Sequence, residues 1–277
     1  MGRTLTQARQ LHSRILAKYD DPNYQNTSLD HWTENDLHQP GENRRHKDGD
    51  LEYSIVEDWA LLDEIYDDLN RILFEGVLSV PDVSWSIAGK NDHRDEWERY
   101  AHELTSMTID PRAKPNGTRN TCKPRIMLWE RPDWNDRNQR MVFYIELLLH
   151  GMIHAFLIRY TCNCIACKDK YIQVEYKTGH GIVWQQIARD IEKFCKKRLA
   201  ITVDLQREKA MAEEWYSYRG VLDKKLCEEL ELNEARVRII LNSLEESGFA
   251  VPLPFYHGTT RTDGNPVDSM EDVVVLR

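Results

Sequence analysis

One apolar run near the middle of the chain constrains its fold more than any other feature. Val142-Phe143-Tyr144-Ile145 and Leu147-Leu148-Leu149 are separated only by Glu146, and neither stretch approaches the roughly 20 residues needed to span a bilayer. A helix capped at Asn135 or Asp136 is expected to run through Ile158. It carries two histidines, in His150-Gly151-Met152-Ile153-His154. Four positions apart, they lie one above the other on one helix face, where both imidazoles can reach a single metal ion at about 2.1 Å. Two unpaired polar rings in so apolar a helix would be costly to bury, and one shared ion relieves both.

A third imidazole follows in Thr178-Gly179-His180-Gly181, where glycines on both sides let the backbone turn sharply and present the ring. Three histidines and a water complete a tetrahedral zinc site, so Zn2+ on His150, His154 and His180 is the expected cofactor.

The surrounding pattern mixes helices with short strands. Trp59, Leu62, Ile65, Tyr66, Leu69, Ile72 and Leu73 recur at helical spacing, and Gly76 is a natural stop. Val83 to Ile87, Leu104 to Ile109 and Arg125 to Trp129 read as strands ahead of the histidine helix. After it, Val183, Trp184, Ile187, Ala188, Ile191 and Phe194 form the stripe of another helix. Residues 1–50 are polar and are expected to be disordered or partly helical, the helix falling within Thr6 to Tyr19. Residues 51–200 make the main domain, and 201–277 a helical, winged-helix-like C-terminal region.

Four segments carry a resemblance when taken in order: Asp68 to Leu78, Arg125 to Leu128, Leu147 to Phe156, and Gly179-His180-Gly181 ahead of a tryptophan-bearing helix. Together, across Glu57 to Lys197, they resemble the SprT-like zinc metallopeptidases, a family that includes the Spartan DNA–protein crosslink proteases. The resemblance implies a compact zincin-like α+β fold with a small antiparallel or mixed sheet, a ligand-bearing helix, and zinc on the three histidines. It also implies action on proteins, DNA-associated ones included.

One position departs from that pattern. The family places glutamate after the first histidine, where it takes a proton from the attacking water; this chain has Gly151. Glycine can neither accept the proton nor orient the water, and general-base help is worth roughly 10²–10⁴-fold in rate. The expectation is a metallopeptidase-like pseudoenzyme with lost or impaired catalysis and no assigned catalytic residue. The alternatives are an active peptidase, and a winged-helix regulator whose zinc domain is structural. Glu146, one turn before His150, is expected to support a ligand histidine; Glu175 is the other carboxylate considered as a substitute base.

Composition limits the partners. A formal charge of -9 argues against a broad basic face for nucleic acid, so DNA association stands on the resemblance alone. A protein substrate or partner fits better, with no membrane. Cys162, Cys164 and Cys167 could hold a second zinc if Cys122, Cys195 or a loop carboxylate supplied the fourth ligand; reduced loop thiols are the simpler reading. Six cysteines in 277 residues suit a reducing nucleus or cytoplasm. The loose myristoylation pattern at Gly2 is set aside as a chance match. Near the C-terminus, Lys225 to Leu232 and Ala235 to Glu246 read as a helix-turn-helix with Arg236 and Arg238 opening its second helix. Between Val221 and Ala250, however, four Lys or Arg face seven Asp or Glu, which favours protein contact over DNA.

Overall fold

The computed structural model describes residues 4–19, 52–79, 83–88, 106–109, 124–129, 137–161, 178–218 and 223–247. In chain order these form α1 (Leu5–Tyr19), α2 (Glu52–Phe74), β1 (Ser84–Ala88), β2 (Ser106–Ile109), β3 (Arg125–Trp129), α3 (Arg137–Tyr160), α4 (Ile182–Phe194), α5 (Arg207–Tyr218), α6 (Lys224–Glu229) and α7 (Glu234–Glu246). A π turn, Cys195–Leu199, extends α4. Helices dominate the described residues, and the sheet is three strands of four or five residues each.

Helix α3 is apolar on nearly every side because it lies in the interior: Leu147, Leu148, Leu149, Met152, Ile153, Ala155, Phe156 and Leu157 are all buried. By length and composition Gln139–Tyr160 would suffice to cross a membrane, which the separate apolar runs suggested it could not. Glu146 is the one charged residue between those runs, and the uncharged stretch from Leu147 to Ile158 extends them, so the whole helix counts. Most of it is covered by the core.

The sheet is mixed, in the order β1-β3-β2. Strand β3 pairs in parallel with β1 (Ser84 opposite Arg125) and antiparallel with β2 (Ser106 opposite Leu128). Ile126 and Leu128 of β3 join the core that holds α3. Helix α2 stops where the backbone turns left-handed at Glu75 and Gly76 (φ 51° and 73°). Asn70 staples this turn, accepting the Leu78 N–H at 3.0 Å through Oδ1 while its carbonyl accepts the Gly76 N–H at 3.0 Å.

The N-terminal helix belongs to the same core. Ala8, Leu11, Ile15 and Tyr19 of α1 are buried with α2, α3 and α4, and Arg9 ties α1 to α4 through Asp190 at 2.6 Å and Gln186 at 3.2 Å. A smaller cluster of Met211, Ala212, Cys227, Leu230, Leu232 and Val237 holds α5, α6 and α7 together. Arg207 links the two clusters, bonding Glu192 of α4 at 3.4 Å and donating to the Leu230 carbonyl.

Candidate metal centre

Helix α3 presents His150 and His154 one turn apart, and the bend before α4 brings His180 against them. All three rings are buried, at 7%, 0% and 0% exposure, and each turns its Nε2 toward the others. The Nε2 atoms of His150 and His180 are 3.0 Å apart, those of His154 and His180 3.1 Å, and those of His150 and His154 3.3 Å. Nitrogens bound to one tetrahedral ion at about 2.0–2.1 Å lie about 3.3 Å from each other.

The hydrogen-bond network assigns the tautomers of two rings. His150 Nδ1 meets the Leu205 carbonyl at 3.2 Å; a carbonyl only accepts, so Nδ1 donates and Nε2 keeps a bare lone pair. His180 Nδ1 lies 2.7 Å from Thr178 Oγ1. That hydroxyl donates to a carboxylate oxygen of Glu214, so it accepts from His180, whose Nε2 is likewise bare. Two lone pairs aimed at each other in a buried site repel, and a cation between them turns the repulsion into ligation. Burial first, then the neighbouring His180 and His150, hold the His154 ring well below its usual pKa and so in the neutral, ligating form. The triad can hold a metal ion.

Trp184, fully buried on α4, backs all three rings, with centroids 4.7 Å from His150, 5.6 Å from His154 and 4.7 Å from His180. This explains its place in the apolar stripe of α4: the face that fills the core also walls the site.

Of the two glycines around His180, only Gly179 uses left-handed backbone, at φ 82°. Gly181 is extended (φ -70°, ψ -165°) and forms the N-cap of α4. Gly151 is buried on α3 and brings no carboxylate. Glu146 does not reach a ligand ring as expected. Its Oε1 accepts the Asp204 N–H at 2.8 Å, one residue before the carbonyl that receives His150, because the side chain leans toward the helix N-terminus. Burial, opposed by that N–H and aided by the charges of Asp204 and Glu192, pushes its carboxyl up to about 7.

The sequence reading missed Glu214, Thr178 and Leu205. Glu214 sits on α5, a helix without an apolar stripe, whose only advance signal is a run of good helix formers, Lys209-Ala210-Met211-Ala212-Glu213-Glu214. Cys162, Cys164, Cys167, Cys122 and Glu175 lie outside the described residues. Cys195 is buried in the main core, where burial pushes its thiol up to about 12, the behaviour of an inert packing residue. Comparison with protein-family models, with curated proteins and with solved structures returns no match.

Proposed function

We propose that this chain is a SprT-like zinc-binding protein, a zincin-type metallopeptidase homologue whose catalysis is lost or impaired at Gly151. The observation that carries the reading is the convergence of three buried Nε2 atoms within 3.0–3.3 Å of one another, two of them left bare because acceptors on the far side of their rings take the Nδ1 proton. Neutral imidazoles are borderline ligands that suit zinc, and three of them leave one tetrahedral position open. His150, His154 and His180 would hold the ion, which in such a site polarises carbonyls and acidifies water. Gly151 supplies no proton acceptor beside it. Glu214 engages the Nδ1 side of His180, away from the converging nitrogens, so it steadies a ligand and does not replace the base. The protein is accordingly a binder of protein partners in the nucleus or cytoplasm, with hydrolysis residual at most.

Two measurements test this. Atomic emission should find about one zinc per chain in the wild type and little in His150→Ala or His180→Ala, as a three-histidine site requires. Wild type free of zinc after purification without chelators, and unable to take it up, would refute the proposal. With a denatured protein as substrate, the wild type should show no chelator-sensitive cleavage. Gly151→Glu should show some, within the roughly 10²–10⁴-fold that a general base contributes. Chelator-sensitive cleavage by the wild type would move the assignment to an active peptidase.

A further inference from the structure

Glu214 is buried, at 2% exposure, and one oxygen of its carboxylate accepts from the Thr178 N–H at 2.7 Å, the His180 N–H at 3.1 Å and the Thr178 hydroxyl. A buried carboxylate is tolerable only where donors compensate its lost hydration, and these three donors belong to the bend that carries His180. The left-handed Gly179 folds Thr178 back onto the ring two residues later. The result is a continuous chain of hydrogen bonds from Glu214 through the Thr178 hydroxyl to His180 Nδ1, ending at the Nε2 that faces the other two histidines.

The other donor ring is held from the same stretch of sequence. Leu205, whose carbonyl takes His150 Nδ1, has its own N–H on Glu192 at 3.0 Å, and the preceding Asp204 N–H is on Glu146 at 2.8 Å. Residues 204–214 therefore supply the outer partners of two of the three ligands.

We propose that Glu214, acting through Thr178, is a positioning residue for the metal, and that this relay makes metal affinity depend on the docking of α5. The inference rests on the metal-binding reading above. A carboxylate one hydroxyl away from an imidazole fixes its tautomer and ring plane and raises its basicity toward the ion. Loss of such an outer partner typically weakens metal binding by roughly 10–100-fold.

The test compares Thr178→Val, which keeps the shape and removes the hydroxyl, with Thr178→Ser, which restores it. Zinc affinity is read on the full chain by competition with a chromophoric chelator, and the ligand field by the visible absorption of the cobalt-substituted protein. Thr178→Val should bind zinc roughly 10–100-fold more weakly and shift the cobalt bands, while Thr178→Ser stays close to wild type. Should circular dichroism show Thr178→Val unfolded, Glu214→Gln, which keeps an acceptor for both backbone N–H groups but not the charge, is read in the same way. Wild type and variants binding equally well, or serine failing to rescue, overturns the relay and leaves the metal site standing. A wild type that binds neither zinc nor cobalt overturns both.

Discussion

His12 and the three histidines of the metal centre are all buried, but the fold treats them differently. The Nδ1 atoms of His150 and His180 each meet an acceptor, whereas neither ring nitrogen of His12 meets a hydrogen-bond partner among the described residues, and its ring lies 6.1 Å from Phe74. Burial first, and then the Arg9 charge, lower its pKa to about 3 against a smaller opposing effect of Asp190. An ordinary histidine in the unfolded chain titrates near 6.5, so between about pH 6.5 and 3 the unfolded state binds the extra proton and stability falls as the medium is acidified. The penalty reaches on the order of 5 kcal/mol below pH 3. His12→Leu, compared with wild type by urea unfolding in chelator, should lose less stability between pH 7 and pH 4; equal losses would show that His12 does not titrate on unfolding. The histidine spacing was legible in the sequence because four residues on a helix define one face. Glu146 was placed correctly on that face, but what it bonds depends on residues 204–205 arriving from elsewhere.

At the scale of elements, α4 announces itself because its stripe of Val183, Trp184, Ile187, Ala188, Ile191 and Phe194 is buried as a unit. Helix α5 does not, since it packs mainly through small and polar residues and its two buried glutamates look like surface in a sequence. The α6–α7 pair is present, though α6 stops at Glu229, short of the expected Leu232; the helices are capped by Asp223 and Asn233, the latter accepting the Arg236 N–H at 3.2 Å. Its two arginines are taken up locally: Arg236 pairs with Asp204 at 3.4 Å and Arg238 with Glu234 at 2.7 Å. Exposed pairs of this kind are worth about 0–1 kcal/mol. Arg236→Ala should therefore change stability by less than about 1 kcal/mol in thermal unfolding and leave duplex DNA binding equally weak. Salt-dependent duplex binding lost in that variant would instead favour the winged-helix regulator.

For the whole molecule, the boundary expected near residue 200 runs through the support of the candidate metal centre. The main core includes Ile201, Val203, Leu205 and Ala210, and Gln185 of α4 donates to the Arg207 carbonyl at 3.2 Å. A chain ending at residue 200 would lose those packing partners, the acceptor of His150 and the relay to His180. Such a truncation should melt without a cooperative transition and bind zinc at least roughly 10-fold more weakly, read by near-ultraviolet circular dichroism and chelator competition. A sharp melt with undiminished zinc affinity would restore an independent domain of residues 51–200. The buried helix, its two aligned histidines, the glycine that follows the first of them and the third histidine between glycines were all legible in the sequence, because helical periodicity and residue chemistry are local. Which groups stand behind those histidines depends on how distant segments pack. Leu205, Thr178 and Glu214 acquire their roles through hydrogen bonds between segments up to 55 residues apart, a spacing that no local pattern encodes.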